Sequence, residues 1–190
     1  MQKNKNSMKI TGRVAFRDCS VKNSVTIEGA RTIIGSLMNN SMGFITNILF
    51  VTDADNFSKL QTAYQNDKHK VTWDMLYNGG SPLYDKDNPL GLTSSSEDKE
   101  GTIVLSDSGE LDSVISLDIN AYIEEGILKS DGLSVYAMAV ILNGSGQRMT
   151  DGAYSPTGNE RVLCFIDTTT QLFKNVDNEF RWTLYFDVSQ

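Results

Sequence analysis

The chain is poor in the residues that carry most enzyme chemistry and most covalent cross-linking. Among its 190 residues there are one histidine, two cysteines and three prolines. The histidine, His69, lies in the polar run Asn66-Asp67-Lys68-His69-Lys70 and reads as a solvated surface side chain. A Ser-His-Asp triad could form only through it, and no GxSxG sequence accompanies it. HExxH, CxxC and GxxxxGK[ST] are all missing, which removes the usual zinc and P-loop readings. Cys19 and Cys164 are too few for a disulfide framework and read as buried free thiols. No apolar run approaches the roughly 18 residues that a membrane-spanning helix needs. Met1–Lys9 lacks the apolar segment of a secretory signal. The net charge of −7 argues against a broad phosphate-binding surface. Lys3, Lys5 and Lys9 form only a local basic patch. These absences lead us to expect no enzyme, no metal or other cofactor, no nucleic-acid partner and no membrane partner.

What the chain has is alternation. Ile115, Leu117, Ile119, Ala121 and Ile123 alternate with Ser116, Asp118, Asn120, Tyr122 and Glu124, the pattern of a strand with one buried face. From Leu133 to Leu142 both faces are apolar, which predicts a strand buried on both sides. The two runs, joined by a polar link with a turn signal at Ser130-Asp131-Gly132, are expected to pair as an antiparallel hairpin. Further strands are predicted over Ile10–Arg17, Phe44–Val51, Val71–Tyr77, Thr102–Leu105 and Arg161–Ile166. In the last of the series, Phe180, Trp182, Leu184, Phe186 and Val188 alternate with polar residues. Asp18–Ser24 reads as a polar turn.

From Ile27 the period becomes helical. Ile27, Ala30, Ile34, Leu37 and Met38 form an apolar stripe, with Thr26 as its cap and Glu28 in the first turn, where the helix dipole favours a negative charge. Gly29 and Gly35 each weaken such a helix by roughly 1 kcal/mol relative to alanine, so its stripe is expected to pack on a sheet. Ser58–Tyr64 reads as a short helix or an irregular linker. Together these features predict a mainly β protein: an antiparallel β-sandwich with one N-terminal amphipathic helix and long loops. Residues 1–9 would be a flexible arm and residues 10–190 a single domain.

Two loops stand out, 143–159 and the excursion 78–101, which is long for a connection inside a compact domain. We expect the arm and the excursion to be mobile in the isolated subunit and ordered by neighbours. Lys3 and Lys5 in the arm, and Pro82, Leu83, Tyr84, Pro89, Leu90 and Leu92 in the excursion, are the candidate partner-binding residues. Asp85-Lys86-Asp87-Asn88 carries alternating oxygen ligands, but Pro89 and Leu90 break the pattern of a calcium loop, so a solvated acidic turn is the better reading. Tyr77, Tyr84 and Tyr154 lie near the loops, where aromatic faces could stack on sugars.

Several segments, in order, resemble structural proteins of tailed bacteriophages from tails, baseplates and fibre attachment regions. They are Asn23–Arg31 leading into the apolar helix, then Ile45–Val51, Ile123–Leu128, Leu133–Val140 and Phe180–Phe186. The likeness departs from that family at Val51-Thr52-Asp53-Ala54-Asp55, which replaces a glycine turn, and in the longer 78–101 excursion. It implies a non-enzymatic virion building block, made in the host bacterial cytoplasm. Its partners would be other virion proteins and further copies of itself, as a homo-oligomer in a symmetric assembly. The alternative is a carbohydrate-binding β-sandwich that recognises a host surface.

Overall fold

The alternating runs form strands, and those strands pair into one continuous ladder. A computed structural model describes residues 9–16, 19–39, 43–93, 102–111, 114–122, 135–167 and 179–187. The strands are β1 (Lys9–Phe16), β2 (Cys19–Val25), β3 (Ile45–Val51), β4 (Leu90–Leu92), β5 (Thr102–Leu111), β6 (Val114–Tyr122), β7 (Ala137–Leu142), β8 (Arg161–Asp167) and β9 (Glu179–Asp187). The helices are α1 (Ile27–Asn39), α2 (Ala54–Tyr64) and α3 (Trp73–Tyr77). The chain is therefore mainly β, as expected.

The finer expectations are not met. The hydrogen-bonded order β1-β2-β8-β7-β3-β4-β5-β6-β9 closes on itself as a barrel instead of dividing into two facing sheets. It is also mixed, because β4 runs parallel to β5. Register shifts at Ile45/Asn47, Asp107/Gly109 and Val140/Ile141 give three of the strands the local bends by which a sheet curls. The expected central hairpin does not form either. β6 pairs with β5 and β9, whereas β7 lies between β3 and β8. Cys19–Ser24, read as part of a turn, is strand: β2 pairs with β1 and β8.

β7 is buried along its whole length, the outcome that two apolar faces predict. On one face, Met138 and Val140 join Ile48, Phe50, Cys164 and Ile166 from β3 and β8, and meet Leu90, Ile103 and Ile119 from β4, β5 and β6 across the interior. On the other face, Ala137, Ala139 and Ile141 join Leu49, Val51 and Phe165 beneath an outer layer. That layer consists of Phe57, Leu60 and Tyr64 of α2, Trp73 and Leu76 of α3, and Leu83, Tyr84 and Tyr154 from loops. The Cys164 side chain is buried in the interior cluster.

The outer layer accounts for the remaining differences. Among the described residues three α-helices form, where the sequence predicts one and leaves a second, over Ser58–Tyr64, open. α2 takes the helical of the two readings of Ser58–Tyr64 and starts earlier, at Ala54, because Asp53 caps it by accepting a bond of 2.8 Å from the Asn56 amide. Its other end stops at Gln65 in the left-handed conformation. Val71–Tyr77 is not a strand. Trp73 and Leu76 are buried three residues apart, a spacing that a helix puts on one face and a strand on opposite faces. The stack of Trp73 on Tyr77, with ring centroids 5.7 Å apart, requires the helical i, i+4 separation. Part of the excursion is structural: β4 lies within it, and Leu83, Tyr84 and Leu90 are buried in the chain's own core.

Candidate functional site

α1 is held against β8 by three contacts that the sequence only hints at. Thr26 caps the helix as expected, its hydroxyl accepting from the Gly29 amide at 2.9 Å. The same hydroxyl donates to the Val162 carbonyl, and the Thr26 amide donates to the Leu163 carbonyl at 3.0 Å. Thr26 thus joins a helix start to a strand 136 residues away. The Glu28 carboxylate accepts from the Val162 amide at 2.7 Å and from the Trp73 amide at 2.9 Å. It ties α1 both to β8 and to the start of α3. Gly29 makes the approach possible, since a Cβ placed there would lie 2.5 Å from the Leu163 Cα.

These tethers fix which way α1 faces, and the result reverses the expectation. At 3.6 residues per turn, Gly29, Ile33 and Ser36 share the side opposite Ile27, Ile34 and Met38. Gly29 is buried and Ile33 packs on the interior cluster. Ile27, Ile34 and Met38 point outward, 47%, 54% and 78% exposed, and Phe44 beyond the helix is 56% exposed. The apolar stripe does not lie on the sheet. It is a surface feature, because the close helix–strand contact selected the small residues for the inner side.

The flank of α1 between these two sides opens into a cleft of about 530 Å³, lined by Ile27, Glu28, Arg31, Thr32, Lys70, Thr72 and Arg161. Three cationic side chains thus converge from α1, from the 68–70 turn and from β8. A second cleft of about 530 Å³, lined by Thr32, Asn143, Thr157, Asn159 and Arg161, shares Thr32 and Arg161 with the first. Burial raises the Glu28 pKa above its usual value. The Val162 and Trp73 amides and the Arg161 charge oppose the shift, while Asp74 adds to it. Arg161 also donates to the Glu160 carbonyl.

The wall of the second cleft is braced from within. Glu160 is fully buried and accepts from the Thr157 and Gly158 amides and from the Tyr154 hydroxyl. Asn47, also fully buried, donates to the Leu90 and Gln147 carbonyls and accepts from the Gly146 amide. Between them the two side chains order the 143–160 loop, and every named bond spans an otherwise costly buried polar group.

The residues singled out from sequence are scattered. Lys3 and Lys5 lie outside the described residues, as do positions 94–101 of the excursion. Leu83, Tyr84, Pro89 and Leu90 are buried, Pro82 is half-buried and Leu92 is 38% exposed. The side chains that a neighbour's groove would have to take are largely packed inside this chain. Asp85 spends its carboxylate on the Asp87 amide, the Asn88 side chain and the Thr52 hydroxyl, and so closes a turn. His69 is exposed, and its Nδ1 donates to the Val25 carbonyl at 2.7 Å. Tyr84 and Tyr154 are buried in the Trp73 cluster, and burial pushes both hydroxyl pKa values up. Among the described residues, no group of three or more His, Cys, Asp or Glu could hold a metal, and no helix is long and apolar enough to cross a membrane. Sequence reasoning missed Arg161, Glu160, Asn47 and the tethering role of Glu28. The only local signal was the acid in the first turn of α1.

No family model, curated protein or solved structure matches the chain.

Proposed function

We propose that the chain is a structural component of a tailed-phage virion, a tail, neck or baseplate adaptor that works by protein–protein assembly and has no catalytic role. The observation that carries this reading is the outward apolar row Ile27, Ile34 and Met38 with Phe44. A rigid helix that presents several large apolar side chains to solvent is the kind of surface that subunit contacts cover. Arg31 and Arg161 at its edge fit the enrichment of Arg, Met and aromatic residues in interfaces. The occupant is a second copy of this chain, the same surface meeting itself across a two-fold axis. The resemblance of the segment order to tail and baseplate proteins is the reason for placing that assembly in a phage particle. Antibody labelling of purified virions in negative stain tests the assignment. Label on the tail, neck or baseplate is the expected result, and particles free of label would end it.

A carbohydrate-binding role is the second reading. The buried Tyr84 and Tyr154 do not favour it. The polar clefts beside α1 do.

A further inference from the structure

The two clefts beside α1 differ in chemistry, and the difference suggests a ligand. The first gathers Arg31, Lys70 and Arg161 around about 530 Å³. The Glu28 carboxylate is held by two backbone amides and also attracts Arg161, so the cleft carries one negative charge among its three cations and a net positive balance. Asp67 shares Lys70 through an exposed contact of 3.5 Å, and screening leaves such a pair weak. The second cleft is lined by Asn143, Thr157 and Asn159. The Thr157 hydroxyl is bonded to the Asn143 carbonyl and the Asn159 amide, and the Asn143 Oδ1 to the Phe44 amide, so the neutral donors the cleft offers are the two asparagine side-chain amides. Arg161 and Thr32 belong to both and join a charged half to a neutral polar half. The combined groove is much larger than a bare oxyanion requires.

We propose that this groove binds an anionic saccharide. Its carboxylate or phosphate lies among Arg31, Lys70 and Arg161, and its ring hydroxyls lie against Asn143, Thr157 and Asn159. Guanidinium groups suit a carboxylate or phosphate because their parallel N–H donors match two oxygens. Carboxamides and hydroxyls suit sugar hydroxyls, which both donate and accept. Ile27 supplies an apolar edge for a ring face. A nucleic acid fits less well, because three cations do not offset an overall charge of −7. The inference does not rest on the assembly reading; Ile27, Arg31 and Arg161 border both surfaces, so a saccharide and a second copy of the chain would compete for that edge.

Ligand-observed NMR titration of the full chain tests it with D-glucuronate, glucose 6-phosphate, D-glucose and inorganic phosphate. Glucuronate or glucose 6-phosphate should bind more tightly than either glucose or phosphate, and which of the two wins identifies the charged group. Arg161→Ala and Arg31→Ala should each weaken the charged sugars about tenfold, the usual consequence of losing one charge-assisted contact. Arg31 is exposed on the helix, so its variant should unfold at the wild-type temperature. Asn159→Ala should weaken the charged sugars and leave phosphate unchanged. Binding of phosphate alone, indifferent to Asn159→Ala, would overturn the saccharide assignment. So would charged sugars that bind no better than glucose, or a polyglutamate peptide that outcompetes them.

Discussion

Gly29→Ala should destabilise the protein even though alanine is the better helix former. In an isolated helix the change would stabilise by about 1 kcal/mol. Here the new Cβ would lie 2.5 Å from the Leu163 Cα, 2.7 Å from the Leu163 oxygen and 2.8 Å from the Val162 oxygen. All three are backbone atoms of β8, which is paired with β7 and β2 and cannot turn aside as a side chain would. Normal contact requires α1 to retreat by about 1 Å, and an overpacking strain of this kind costs roughly 1–3 kcal/mol. The retreat also stretches the Thr26–Leu163 bond from 3.0 Å and the Glu28–Val162 bond from 2.7 Å. Losing much of those two bonds adds about 1–3 kcal/mol. The net expectation is a loss of about 1–5 kcal/mol, which at a typical slope of about 2 kcal/mol per molar lowers the urea midpoint by about 0.5–2.5 M. The transition can be followed by tryptophan fluorescence, since Trp73 sits in the cluster beside the Glu28 tether. Gly35→Ala is the internal control. Nothing lies within 4 Å of its Cβ, so it should stabilise by up to about 1 kcal/mol. A Gly29→Ala midpoint equal to or above that of the wild type would refute the close docking of α1 on β8.

Glu28→Gln should leave stability near the wild-type value at low pH and improve it relative to wild type as the pH rises. Burial raises the folded-state pKa of Glu28 above its usual 4.5, so its contribution is fully present below that value and is lost as the pH rises through the folded one. Glutamine keeps an acceptor oxygen without the titration, and parallel stability curves for the two proteins between about pH 4 and pH 7 would contradict this account. Glu160→Ala should cost about 1–3 kcal/mol, because it strands the buried Tyr154 hydroxyl and removes the acceptor of two part-buried backbone amides. Thermal unfolding measures the loss, and limited proteolysis should show new cuts within 143–159. A variant as stable as wild type would mean that water reaches the site.

Period-two alternation was sufficient to find most strands, and the doubly apolar run at β7 correctly announced burial on both faces. Thr26 as the cap of α1 was legible because capping is local. What could not be read depends on contacts far apart in sequence. The stripe on α1 obeys the helical period, but periodicity does not say which side meets the sheet. That was decided by Gly29 against Leu163 and by Glu28 reaching Val162, 134 residues away. The 78–93 stretch looked unanchored because its apolar residues are few. Yet Leu83, Tyr84 and Leu90 are buried against partners from distant parts of the chain. β6 and β7 looked like a hairpin because they are neighbours in sequence, whereas each is flanked by other strands in the ladder. The groove was invisible for the same reason: Arg31, Lys70 and Arg161 are exposed singly and converge only through the fold.

The central claim is that the outward face of α1 is an assembly surface, and sedimentation velocity of the purified chain against Ile34→Lys tests it most directly. Ile34 is 54% exposed, so the substitution should alter unfolding by no more than about 0.5 kcal/mol. The account predicts that the wild-type chain associates as its concentration rises and that Ile34→Lys remains a monomer over the same range. A wild-type chain that stays monomeric throughout, or a variant that associates equally well, would contradict it.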